Sequence, residues 1–134
     1  MQAIRSETIP IQNEADIVQA RQTVRKWAIE AAFPLVDQTK IITAASELAR
    51  NTIVYGKGGT LQLELLTDGV RKGVRLTFQD QGPGIADIQQ ALTDGFTTGT
   101  GLGLGLSGAR RLSNMFEIES KPGQGTRVMI ARWR

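Results

Sequence analysis

Residues 61–84 read Leu61-Gln-Leu-Glu-Leu-Leu-Thr-Asp-Gly-Val-Arg-Lys-Gly-Val-Arg-Leu-Thr-Phe-Gln-Asp80-Gln-Gly-Pro-Gly84. Apolar residues occupy alternate positions on both sides of Asp68-Gly69: Leu61, Leu63 and Leu65 before it, Val74, Leu76 and Phe78 after it. Successive side chains of a strand point to opposite faces, so this period of two reads as two half-buried strands joined around Asp68-Gly69. Asp80 continues the parity of Val74, Leu76 and Phe78. Its carboxylate is therefore expected on the side that helices would cover.

Upstream the period is helical. Asn13 is an N-cap candidate with Asp16 three residues on, followed by Ile17, Ala20, Val24, Trp27, Ala28 and Ala31 at helical spacing. Pro34 closes that element, and Asp37 is the next N-cap candidate for a helix running to about Tyr55, where Gly56, Gly58 and Gly59 end it. Downstream, the pattern predicts a short helix near residues 85–92, a basic helix over about 104–114, and two strands, 115–120 and 126–132, around a Pro122-Gly123 turn. This order predicts an α/β two-layer sandwich: a mainly antiparallel sheet with helices on one face and the other face wet.

Composition narrows the functional classes. The 134 residues suit one domain, residues 1–134, with 40% hydrophobic and 22% charged residues. No apolar run approaches a membrane span and the N-terminus lacks a signal-peptide stretch, so neither membrane nor secretion is expected. With no Cys and no His, thiolate metal sites, disulfides and imidazole chemistry are removed together, in keeping with a cytoplasmic location. The net charge of +3 is spread over scattered pairs (Arg25-Lys26, Arg71-Lys72, Arg110-Arg111), and aromatics make up only 5%. No nucleic-acid partner is expected from such a surface.

Four short stretches carry chemistry. Glu47 and Asn51 are an i,i+4 pair about 40° apart around a helix axis, on the flank of the apolar band Ile41, Ala45, Leu48, Ala49 and Thr52. A carboxylate and an amide oxygen one turn apart can orient a hydroxyl and a hydrated Mg²⁺ ion, although the same spacing also occurs on ordinary helix edges. Asp80 on the covered face needs donors. The amino group of adenine is one, with Gly82 and Gly84 letting backbone approach a flat ring; neighbouring backbone N–H groups in a turn are the other.

Residues 95–108, Gly-Phe-Thr-Thr-Gly-Thr-Gly-Leu-Gly-Leu-Gly-Leu-Ser-Gly, hold six of the 15 glycines, and their backbone N–H groups can wrap phosphates. No Gly-Lys-Ser/Thr follows, so this is no P-loop, and residues 93–101 make no credible strand for a dinucleotide fold. The signatures of eukaryotic-type kinases are absent. Finally, Gly123-Gln-Gly-Thr126 leads into the last strand, where Thr126 shares parity with Val128 and Ile130; its hydroxyl is expected to face inward, within reach of Asp80 or a nucleotide, the alternative being a residue that simply starts a strand after a hairpin.

These pieces, in this order, resemble the Bergerat fold of the GHKL superfamily (gyrase, Hsp90, histidine-kinase and MutL ATPases). Glu47–Asn51 is similar to the N box, Asp80-x-Gly82-x-Gly84 to the first glycine box, Gly99–Gly105 to the second and Gly123–Thr126 to the third. The resemblance implies ATP and Mg²⁺, with Glu47 as general base, Asn51 as Mg²⁺ ligand and Asp80 as adenine reader. It implies phosphate contacts from Gly99, Gly101, Leu102, Gly103, Leu104 and Gly105 in a mobile lid, and nucleotide binding at Gly82, Gly84 and Thr126.

Within the superfamily, Ser46-Glu-Leu-Ala-Arg-Asn51 and residues 94–106 are most similar to the RsbT-type serine/threonine switch kinases of bacterial stress signalling. Ser107 departs from the Pro expected there. That group implies phosphorylation of a STAS-domain antagonist and binding to a PP2C-type phosphatase. Three alternatives stay open: an anti-sigma factor kinase, a histidine-kinase catalytic domain acting in trans, and a binding module without turnover.

Overall fold

The computed structural model describes residues 2–84 and 105–134. In chain order these form β1 (Gln2–Ile11), α1 (Glu14–Glu30), α2 (Leu35–Val54), β2 (Gly59–Thr67), β3 (Lys72–Asp80), α3 (Gly105–Arg111), β4 (Met115–Ser120) and β5 (Thr126–Trp133). The strands make one sheet in the order β1-β2-β3-β5-β4, with every pairing antiparallel. The helix expected near residues 85–92 lies outside the described residues.

The alternation in residues 61–78 sets the register. Leu61 pairs with Phe78, Leu63 with Leu76 and Leu65 with Val74, so all six share one face and are buried there. Val128 and Ile130 of β5 pair with Phe78 and Leu76 and extend that face. The apolar stripes of α1 and α2 close over it: Ile17, Ala20, Val24, Trp27 and Ala28 from one, Ile41, Ala45, Leu48 and Ala49 from the other. Each fully buried Leu or Ile contributes about 1.5–3 kcal/mol, so this one layer supplies most of the folding drive. Ala109 of α3 joins the same core, and α3 packs on α2.

Helix α1 starts where its cap dictates. The Asn13 side chain accepts the Asp16 N–H at 3.0 Å, and the Asp16 carboxylate reaches back to the Gln12 N–H at 2.8 Å. Helix α2 differs from expectation. It begins at Leu35 behind Pro34, and Asp37 sits inside its first turn rather than capping it. The Asp37 carboxylate is drawn elsewhere, to Nη2 of Arg132 at 2.7 Å, while Nη1 of Arg132 donates to the Leu112 carbonyl at 2.8 Å. One guanidinium thus ties β5 to the start of α2 and the end of α3.

Strand β1 is the element without a sequence signal. Arg5, Glu7 and Ile9 pair with Leu65, Leu63 and Leu61 and so share their face, yet Arg5 and Glu7 are charged. Both stay exposed at the edge of the sheet, and Arg5 lies 4.8 Å over the Trp27 ring and pairs with Glu30 at 2.8 Å. The open face of the sheet is also drier than its polar residues imply. Leu66, Thr77, Met129 and Ala131 are buried there, with the Trp133 ring lying against Gly73 and Glu64 held by two Arg75 hydrogen bonds of 2.8 Å. Among the described residues, no helix is long and apolar enough to cross a membrane.

Candidate functional site

Asp80 ends β3 on the helix-covered side, as its parity requires. Its Oδ1 accepts two backbone N–H groups, from Gly82 at 2.9 Å and from Thr126 at 3.2 Å. The turn alternative therefore holds for one carboxylate oxygen. The other, Oδ2, abuts Gly56 just past the end of α2: a Cβ at Gly56 would fall on Cβ, Cγ and Oδ2 of Asp80. Gly125 is as tightly placed against the Asp80 carbonyl, and its φ of +83 suits glycine.

The two glycine-bearing turns are laced together. Gly123 donates to the Pro83 carbonyl at 2.6 Å, and Gly84 packs on the Lys121 carbonyl. Gly82 stacks directly on the Gly56 backbone. Residues 56, 80–84 and 121–126, far apart in sequence, thus form one wall with Asp80 at its centre.

Helix α2 carries the second half of the site. Glu47 and Asn51 are half-buried beside the buried Leu48, Ala49 and Thr52. The Asn51 carbonyl accepts the N–H groups of Tyr55 at 3.0 Å and Gly56 at 3.3 Å. These backbone bonds tie Gly56, and with it the contact with Asp80, to the end of α2. Lys57, at φ +60, then carries the chain out of the helix toward β2.

The structure corrects the reading of Thr126. Its backbone N–H, not its hydroxyl, meets Asp80; the hydroxyl shares a 2.8 Å hydrogen bond with Ser120 across the β4–β5 pair. Gly105 is the first residue of α3. Gly99, Gly101, Leu102, Gly103 and Leu104 lie outside the described residues. Arg50, exposed on α2, makes a loose 3.7 Å ion pair with Glu14. Gly56 went unrecognised from sequence because Gly56, Gly58 and Gly59 together read as a helix stop.

No cluster of three acidic, His or Cys ligands exists among the described residues. Asn51 offers a side-chain oxygen on α2, and Mg²⁺, which keeps much of its water and binds substrate phosphates, takes only one or two oxygens from a protein. At Gly56, Gly82 and Gly125 the absent side chains let the backbone and the Asp80 side chain pack directly on one another, which holds the Asp80 carboxylate in place for a donor such as the amino group of a base. Glu47, Asn51 and Asp80 are therefore chemically consistent with Mg-ATP.

Comparisons with known proteins agree with this fold. Over 125 residues the chain is 45% identical to the serine/threonine-protein kinase RsbT of Bacillus subtilis, covering 93% of this chain and 94% of that one. It is 31% identical over 121 residues to the anti-sigma F factor of Geobacillus kaustophilus, covering 84% and 81%. In fold it is similar to the RsbU and RsbW domains of a Mycobacterium tuberculosis protein (TM-score 0.67, 22% identity), spanning 97% of this chain and 33% of that one. It is also similar to the mycobacterial sensor histidine kinase MprB (TM-score 0.57, 14% identity, 96% and 97% covered). Residues 36–134 match the histidine kinase-, DNA gyrase B- and HSP90-like ATPases, and the chain belongs to that family.

Proposed function

We propose that this chain is an ATP-dependent protein serine/threonine kinase of a bacterial partner-switching pathway. It phosphorylates a STAS-domain antagonist and, once released, binds and activates a PP2C-type phosphatase. The observation that carries the proposal is the 45% identity, over nearly the whole chain, to a serine/threonine kinase. The disposition of Glu47, Asn51 and Asp80 supports it.

Bound ATP would supply the phosphoryl group. Asp80 would accept the amino group of adenine through Oδ2, the oxygen that backbone donors leave open. Gly82 and Gly84 would border the base, with Thr126 fixing Asp80 from behind. Asn51 would offer its side-chain oxygen to Mg²⁺. Gly99, Gly101, Leu102, Gly103, Leu104 and Gly105 would direct backbone N–H groups at the phosphates. Glu47, one turn from Asn51, would take the proton of the substrate Ser or Thr hydroxyl.

A switch needs mutually exclusive partners, and phosphorylation supplies the exclusion. A phosphate adds about −1.5 to −2 charge, which penalises rebinding of the modified antagonist. The test mixes this chain, a STAS-domain protein and the phosphatase on a sizing column, with and without Mg-ATP. Unmodified STAS protein should displace the phosphatase, and ATP should restore the kinase–phosphatase complex. A single ternary complex indifferent to ATP would refute the switch.

The second reading is an anti-sigma factor kinase, favoured by 31% identity to an anti-sigma F factor. Capture of a sigma factor in place of the phosphatase would select it.

A further inference from the structure

We infer that Gly56 is a positioning residue for base recognition: its missing side chain sets where the Asp80 carboxylate points, and with it how strongly the site prefers a 6-aminopurine. The inference rests on the reading of Asp80 as the adenine partner.

Oδ1 of Asp80 is fixed by the N–H groups of Gly82 and Thr126, at 2.9 and 3.2 Å. Oδ2 is left for a ligand, and it is Oδ2, with Cγ and Cβ, that a methyl group on Gly56 would displace. Asp80 cannot simply withdraw. Its backbone pairs with Gly59 in the β2–β3 ladder, and its carbonyl is packed against Gly125. The remaining freedom is rotation of the carboxylate, which would break the Oδ1 bonds and turn Oδ2 away from the base.

Nor can Gly56 retreat. Its N–H donates to the Asn51 carbonyl at 3.3 Å, and Gly82 lies so close behind it that a Cβ there would meet the Gly56 Cα at 2.7 Å. Its backbone does not demand glycine, however. Gly58, Gly84 and Gly125 have positive φ values whereas Gly56 does not, so alanine suits its conformation. Space beside Asp80 is the reason for glycine at this position. The Asn51 main-chain carbonyl thus holds Gly56 to the end of α2.

The experiment measures affinities for ATP and for the purine ribonucleoside triphosphate lacking the 6-amino group. Parent protein should prefer ATP by about 10- to 100-fold, the range for a hydrogen bond to a charged group. Gly56→Ala should erase most of that preference by weakening ATP, leaving the analogue within about twofold. In the Asp80→Gly background, where the three atoms the methyl would meet are gone, Gly56→Ala should change neither affinity. That background also serves if Gly56→Ala alone fails to fold, and lost analogue binding on adding alanine there overturns the inference. Equal parental affinities for the two nucleotides overturn the reading of Asp80 and the inference with it. A parent that discriminates, with a Gly56→Ala variant that weakens both nucleotides equally or leaves ATP untouched, overturns the inference alone.

Discussion

Oδ1 of Asp80 accepts the backbone N–H of Thr126 at 3.2 Å, across 46 positions of sequence. This bond joins the end of β3 to the start of β5 and, with the Gly82 N–H, engages one carboxylate oxygen only. Asp80→Asn can keep Oδ1 as an acceptor for both backbone donors but then presents an amide N–H₂ where adenine also presents one. ATP binding should weaken by about 1.5–3 kcal/mol, and the preference for ATP over GTP should shrink, because the new donor suits the guanine carbonyl. Calorimetry with both nucleotides checks this. Undiminished ATP affinity would remove Asp80 from base recognition.

Glu47 and Asn51 should separate turnover from binding. Glu47→Ala is expected to leave ATP affinity nearly unchanged while slowing transfer by about two to four decades, the range of a lost general base. Asn51→Ala should weaken Mg²⁺-dependent ATP binding and transfer together. Single-turnover rates beside equilibrium binding distinguish the two, and a Glu47→Ala variant at the parental rate would refute the base.

Arg132 should matter to stability far from the site. Its side chain is mostly buried, its Nη2 holds Asp37 at 2.7 Å and its Nη1 holds the Leu112 carbonyl. Arg132→Met fills similar space but strands a half-buried carboxylate and a helix-end carbonyl. Urea unfolding should show a loss of about 2–3 kcal/mol. Asp37→Asn should cost less, since an amide oxygen still accepts the guanidinium N–H.

The β2–β3 turn should contribute to acid sensitivity. Backbone N–H groups of Arg71 (2.7 Å) and Val70 (2.9 Å) hold the Asp68 carboxyl down to about 2, from an ordinary 3.8. A depressed carboxyl stabilises the fold fully above its unfolded value and loses that contribution as pH falls through its folded value. Its share should fade between about pH 4 and pH 2. Asp68→Asn, which keeps the acceptor but cannot titrate, should flatten the decline of melting temperature across that window. An unchanged acid limb would contradict the assignment.

Legibility in the sequence followed burial. Leu61 to Phe78 announced their strands because one face of the hairpin is wholly buried, and Asp80 could be oriented from the same parity. Strand β1 stayed silent because Arg5 and Glu7 occupy core-side positions at a sheet edge, where Trp27 and Glu30 compensate in space rather than in sequence. Asp37 looked like a cap until Arg132, 95 positions away, supplied a stronger partner. Thr126 was placed correctly but for its hydroxyl, since parity fixes a side and not which atom bonds. Gly56 escaped notice because its role exists only once α2 and β3 meet.

Phosphate transfer decides whether this chain is a serine/threonine switch kinase. This chain should be incubated with radiolabelled Mg-ATP and purified STAS-domain candidates, and the product hydrolysed for phosphoamino acids. Label should appear on a Ser or Thr of one STAS protein, stable to acid, with none retained on this His-free chain, and Glu47→Ala should abolish most of it. Acid-labile label, label on this chain alone, or ATP binding with no transfer to any STAS candidate would contradict a serine/threonine switch kinase.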